Sequence, residues 1–326
     1  MAITKPNQAL GATVFFALSL FWTVVTTAPA EAADVKFYGN INYIMSHDEN
    51  ASGETIAKAK NNGSAVGVKV KEEVAKGIDA FAKIELSVDT DDSGSTPFDS
   101  KLAFAGLDLG NMGVISAGRQ NSPFYSAVNK KTDVFPEYGA RAPQKLNKRD
   151  SHTLLYSNSI GNIVFDNMFK VDGETGKDGI DTWESALFLP LSDNLDLGLG
   201  YSDDKVNDAQ YYGTGVTVGI TESTKVGYNY TVKHNANDTE DISNDIVVQH
   251  TLNTYNGVCG LGLENRQCKT TLMAGYSAVK DGNAWTTLGV KRKLNKKLEL
   301  YGAYEMKDNA SGKDTDGMSV GLKLKF

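Results

Sequence analysis

Cysteine, histidine and proline are scarce in this chain: two, four and seven among 326 residues. The four histidines (His47, His152, His234 and His250) stand far apart, with no metal-ligand spacing. The two cysteines, Cys259 and Cys268, have no further ligand types clustered around them, so they do not make a metal site. There is no basic tract, and the net charge is −7, which excludes a nucleic-acid binder. Beyond residue 32 no window approaches the roughly 18 consecutive apolar residues of a membrane-crossing helix. "DTDDSGSTPFDS" (89–100) hints at a calcium loop through Asp89, Asp91 and Gly94, but Ser100 stands where the carboxylate of an EF-hand belongs. "GTGVTVG" (213–219) has no following helix and is no phosphate loop. Nothing requires a cofactor, and no Ser/His or Asp/His motif supports an outer-membrane lipase or protease. Most loops are too short for an adhesive surface protein.

The start of the chain is read as a leader. Lys5 and the amino terminus supply positive charge, "GATVFFALSLFWTVV" an apolar run, and "APAEA" the small residues of a cleavage site. This pattern predicts a secretory signal peptide over 1–32, cut after Ala32, and a single domain over 33–326. The exported portion is then about 294 residues with an unchanged net charge, since cutting removes one Lys and one Glu.

What the chain has in abundance is alternation, with 32 glycines between the alternating runs. In "GMSVGLKLKF", Met318, Val320, Leu322, Leu324 and Phe326 share one face, and Ser319, Lys323 and Lys325 share the other. Val35, Phe37, Ile41 and Tyr43 oppose Lys36, Asn40 and Asn42 in the same way. Val66, Val68 and Val70 oppose Lys69 and Lys71; Ile84, Leu86 and Val88 oppose Lys83 and Glu85. A helix would spread these charges around every face, so strands are predicted. Sixteen such segments follow one another, from 34–46, 64–74, 78–89, 99–109, 113–120 and 149–158 to 317–326. Short turns such as 110–113 and 159–162 alternate with longer polar connections such as 47–63 and 121–148. Long alternating strands, even in number, with short turns at one end and polar loops at the other predict an all-β fold: a sixteen-stranded antiparallel transmembrane β-barrel. Closure leaves no strand edge in lipid.

The segment 121–148 breaks the pattern. "TDVFPEYGARAP" (132–143) carries two prolines, a glycine, two acids and an arginine, and no strand alternation. Six basic residues (Lys130, Lys131, Arg141, Lys145, Lys148, Arg149) face three acids (Asp133, Glu137, Asp150) over this stretch, a balance of +3 that does not disfavour anions. Irregular backbone at membrane depth is tolerated where it lines water inside a barrel. Charged strand residues must face the lumen too, because Lys or Arg on the lipid face near midplane costs about 2–4 kcal/mol. Lys69, Lys83 and Glu85 are assigned there. So is Lys101, taken to lie opposite a lipid-facing Leu102 and Phe104. Arg149 shares a face with Ser151 and Thr153, opposite Tyr156.

The chain resembles the general diffusion porins of Gram-negative outer membranes. "DVKFYGNINY" looks like that family's first strand, and "KLAFAGLDLG" (101–110) and "ISAGRQNSPFY" (115–125) like its fourth and fifth. "TDVFPEYG" is similar to the acidic-Pro-Glu-aromatic-Gly motif of its third loop, and "RDSHTLLYSNS" (149–159) to the strand after it. The resemblance implies a barrel with the third loop folded inward, in the outer membrane of a Gram-negative bacterium. It implies a homotrimer among lipid and lipopolysaccharide, a terminal Phe326 read by the barrel-assembly machinery, and passive diffusion of ions and small hydrophilic solutes. At the constriction it implies Asp133 and Glu137 as the acidic side and Lys101 and Arg149 as the basic side. Two further basic positions of enterobacterial members fall on Asn40 and Ala65 here. Lys69, Lys83 and Arg141 are further lumen charges. Opposed rows of charge would orient water and favour small polar solutes. A substrate-selective channel, anion- or sugar-preferring with aromatics such as Tyr301 as a guide, is the alternative. In an exported chain Cys259 and Cys268 are a disulfide candidate.

Overall fold

The computed structural model describes residues 33–91, 97–141, 147–173, 179–254 and 268–326. The expected leader, Cys259 and Lys145 lie outside the described residues. Seventeen strands are present among those described. The first six are β1 (Asp34–Glu49), β2 (Thr55–Asn61), β3 (Ala65–Ala75), β4 (Ile78–Val88), β5 (Phe98–Asp108) and β6 (Val114–Asn121). Then come β7 (Arg149–Ile160), β8 (Ile163–Lys170), β9 (Thr182–Ser192), β10 (Leu195–Asp204), β11 (Ala209–Gly219) and β12 (Thr224–His234). The last are β13 (Glu240–Thr254), β14 (Cys268–Val279), β15 (Ala284–Lys293), β16 (Leu298–Asp308) and β17 (Thr315–Lys325).

Seventeen strands make sixteen wall positions. The second half of β1 pairs with β2 (Tyr43 opposite Asn61) and its first half with β3 (Asp34 opposite Lys71), so β2 and β3 occupy one position in tandem. At the break, Asn42 keeps its backbone satisfied: its carbonyl accepts from Asn62 N at 2.8 Å and its amide donates to Ser64 Oγ at 2.9 Å. The stretch 47–63 therefore holds a strand where sequence predicts only a loop. Its lysines and alanines carry a weak alternation, and the pairing comes from the overlong β1 beside it. All other strands pair antiparallel with their neighbours in sequence. β1 closes the barrel on β17, with Asn40 opposite Lys325, and Gly39 and Phe326 exchange two backbone hydrogen bonds of 3.1 and 3.0 Å.

The two faces sort by polarity in the order lipid demands. On β17 Val320 is 62% exposed and Ser319 is 4% exposed. Gln120, Thr153, Glu184, Asn229, Thr287 and Glu305 are buried on the inner side, while Leu199, Ile246, Leu272 and Leu288 are exposed on the outer side. A wall with polar residues covered and apolar ones exposed is the inverse of a soluble sheet and matches a lipid-facing barrel. No helix among the described residues is long and apolar enough to cross a membrane, which says nothing about crossing by strands.

Lys101 reaches the lumen for a reason other than the one expected from sequence. Leu102 is only 4% exposed, and Phe104 packs edge-on against Phe81 at 6.4 Å, so neither meets lipid. A register shift between Glu85 and Leu86 in the β4–β5 ladder interrupts the alternation beside Lys101. The bulge re-aims the lysine inward.

Candidate pore constriction

The segment after β6 runs along the inner wall. Ser122 caps the short helix α1 (Pro123–Ala127): its Oγ accepts from Tyr125 N at 3.0 Å, and proline stands at the first helical position. The helix is fastened to the wall by Glu184 of β9, whose carboxylate accepts from Ser122 Oγ at 2.6 Å and Phe124 N at 3.2 Å. Phe124, Ala127 and Val128 are fully buried against Ala186 and Phe188. Past a tight turn (Asn129–Lys131), Lys131 pairs with Asp196 of β10. Phe135 then packs on Val247 and Met273 and lies over Gly275 and Gly289.

The far end of the segment is tied to the opposite part of the wall. Pro136 O accepts from Asn62 Nδ2 at 3.0 Å, and Glu137 pairs with Lys60 of β2 at 2.8 Å. Tyr138 Oη donates to Asp48 at 2.6 Å. Glu305 of β16 accepts from Gly139 N at 3.1 Å, Thr287 Oγ1 at 3.0 Å and Arg141 Nε at 3.2 Å. Between its attachments to β9 and to β1, β2 and β16, the segment rests on β10 to β12 and, through Phe135, on β13 to β15, so it follows the inner wall half-way round the barrel. Burial, and then the bonds to Asp133 and Asp48, push the Tyr125 and Tyr138 hydroxyls well above the usual phenol range. Both remain neutral donors.

Beside Pro136 lies a cavity of about 460 Å³. Its charged lining is Lys101 of β5, Lys148, Arg149 of β7, Lys291 of β15, Lys323 of β17 and one acid, Glu299 of β16. Tyr301, Asn42 and Asn62 complete one wall; Tyr301 Oη donates to Asn42 Oδ1 at 2.7 Å and accepts from Asn62 Nδ2 at 3.0 Å.

The two loop acids do not pair with Lys101 or Arg149. Asp133 accepts from Tyr125 Oη and pairs with Lys148; Glu137 is held by Lys60. Lys101 pairs instead with Glu85 at 2.9 Å, and Glu85 also takes the Tyr38 hydroxyl at 2.7 Å and has Lys83 at 3.5 Å. Lys69 and Lys83 lie 5.2 and 5.7 Å from the Tyr38 ring centre. Arg141 is divided between Glu305 and the Tyr138 ring, 5.6 Å away. Among the described residues Arg149, Lys291 and Lys323 form no ion pair. The Arg149 Nε has no hydrogen-bond partner among them. Lys60, Lys291 and the buried Glu184 were not singled out from sequence. Strand alternation around "LGVKRK" carries the signal for Lys291; Glu184 looks like any polar strand residue until the loop is seated on it. Cys268, at the start of β14, is disulfide-bonded. No group of three or more metal-ligating side chains occurs among the described residues.

A closed barrel with an apolar exterior and a charged, narrowed interior is a transmembrane diffusion channel. The chain belongs to the Gram-negative porin family, whose model matches residues 17–312. Among solved structures, the anion-selective porin from Comamonas acidovorans is similar with 16% identity and a TM-score of 0.72, over 90% of this chain and 100% of that one. Salmonella typhi OmpF in complex with daunomycin is similar with 16% identity and a TM-score of 0.71, over 90% and 97%. The trimer form of Vibrio cholerae OmpT has 13% identity and a TM-score of 0.67, over 91% and 100%. No curated protein matches the chain in sequence. The protein is an outer-membrane porin that spans the membrane many times and allows passive diffusion.

Proposed function

We propose that this porin conducts small anions in preference to cations, and excludes other solutes by size. The carrying observation is the imbalance at the cavity: among the described residues, three lining basic side chains that form no ion pair, Arg149, Lys291 and Lys323, stand against the one lining acid Glu299. The loop acids Asp133 and Glu137 and the wall acid Glu85 each already hold a lysine, so their fields are largely cancelled before they reach the ion path. Among the described residues Arg149, Lys291 and Lys323 have no such partner, and in a narrow lumen with low-dielectric walls their field is focused on the passing ion. Asp133 and Glu137 thus act mainly by holding the loop in place, Lys101 acts mainly through its pair with Glu85, and Arg149 acts on the solute. The sugar-preferring alternative is less well supported: Tyr301 is 5% exposed and engaged at its hydroxyl, and Tyr38 is flanked by lysines.

The surroundings of the channel belong to the same reading. The chain works as a channel and not as an enzyme, as a homotrimer among outer-membrane lipid and lipopolysaccharide, with residues 1–32 removed on export and Phe326 recognised during assembly. Cys259 and Cys268 are paired with each other. The direct experiment is the zero-current potential across a planar bilayer in a potassium chloride gradient. The expected sign is that of chloride preference, and marked potassium preference would overturn the reading.

A further inference from the structure

Five glycines on three consecutive strands form the surface on which the constriction loop rests. Gly198 of β10 stands opposite Gly215 of β11, and Gly200 opposite Gly213, so the two pairs make a patch of bare backbone. Gly227 of β12 extends it. None of the five has a positive φ, so their backbone geometry is open to any residue. Glycine within a strand is a weak choice in itself, lacking a side chain to pack. What distinguishes these positions is the space above them. A Cβ on Gly198 would stand 2.0 Å from Ala127 O, one on Gly227 2.2 Å from Lys131 O, and one on Gly215 2.6 Å from Val128 O. At Gly200 and Gly213 the nearest atoms belong to the Phe124 ring, 2.7 and 2.6 Å away.

We propose that this glycine seat sets the aperture of the pore, and with it the size of solute that passes. The inference is independent of which ion sign the channel prefers. The seat is held from both sides by the strand ladders of a closed barrel, while the loop is attached by a few side-chain bonds, so an added methyl displaces the loop. Restoring ordinary contact at Gly198 or Gly227 requires the loop backbone to rise by roughly 1 Å or more. Away from this wall means into the lumen that the closed ring of strands encloses.

The test is single-channel conductance and the exclusion limit for neutral polyethylene glycols, measured on the full chain carrying Gly198→Ala, Gly227→Ala or both. Heat-modifiable migration in electrophoresis confirms a folded barrel. Each substitution is expected to lower conductance and the exclusion limit, the double more than either single. Gly302→Ala, on the outer face of β16, is expected to change neither. Gly200→Ala and Gly213→Ala meet only side-chain atoms at closest approach and serve where the first variants do not fold. For Gly213→Ala, the accompanying change Phe124→Leu is expected to restore conductance, an outcome that general destabilisation would not give. Folded variants that conduct as the unmodified protein does, or that pass larger solutes because the loop has swung free, would overturn the proposal.

Discussion

Lys60 Nζ lies 2.8 Å from Glu137 Oε1, joining the strand β2 to the middle of the constriction loop. The glutamate side chain is the better covered of the two, 15% against 37% exposed. Removing the lysine leaves a carboxylate directed at the lumen without its partner; removing the glutamate leaves a lysine that water can still reach. The two neutralising changes should therefore differ in sign and in size. Lys60→Gln is expected to reduce anion preference, and Glu137→Gln to raise it by less. Zero-current potentials of the two variants in the same salt gradient check the order.

Lys291 and Lys323 carry the next prediction, because neither is matched by an ion pair among the described residues and both line the cavity. A unit charge about 6 Å from an ion in an aqueous path contributes about 0.7 kcal/mol, a roughly threefold effect on that ion before screening. Lys291→Gln and Lys323→Gln should each shift selectivity toward cations by this order. The shift should shrink as salt rises, since the screening length falls from about 10 Å at 0.1 M to about 3 Å at 1 M. A shift unaffected by salt would point to altered pore shape and not to charge.

The barrel was legible in the sequence because lipid enforces a period of two on every strand, and a one-residue error would put charge in hydrocarbon. Strands such as Thr224–His234 and Leu298–Asp308 stand where alternation put them. What alternation misreads are the places where register breaks. Lys101 lies at a bulge, and simple alternation fails there because Leu102 is buried and does not meet lipid. Thr55–Asn61 became a strand through the length of β1. The loop acids were conspicuous by composition, yet their partners, Lys60 and Lys148, follow from the path the loop takes along the inner wall. No periodicity encodes that path. Glu184 was hidden for the same reason.

Glu184 is 1% exposed and accepts from both Ser122 and Phe124. Truncating it to alanine strands two buried donors at the start of α1, a loss of about 1–3 kcal/mol for each group left unsatisfied. The barrel has many other ladders and should still close. The loop should lose its first anchor. Glu184→Ala is thus expected to keep heat-modifiable migration while showing noisier single-channel current and faster proteolysis between residues 122 and 148. Quiet, protease-resistant channels would show that the packing of Phe124 and Val128 alone seats the helix.

The opposite anchor divides differently. Glu305 takes three donors, Gly139 N, Thr287 Oγ1 and Arg141 Nε, and is 7% exposed. The Arg141 side chain is 40% exposed, so its ion pair is screened and contributes little by itself. Glu305→Ala should therefore free the loop end far more than Arg141→Ala, because it leaves the Gly139 amide and the Thr287 hydroxyl unpaired where water is scarce. The larger effect should appear as higher conductance and a larger polyethylene glycol limit, since this end of the loop can then withdraw from the lumen. In a double-mutant cycle, Arg141→Ala should add little to Glu305→Ala, as expected for two residues sharing one anchor. Full additivity would mean that Arg141 acts on the permeating ion directly, with Glu305 no more than its neighbour.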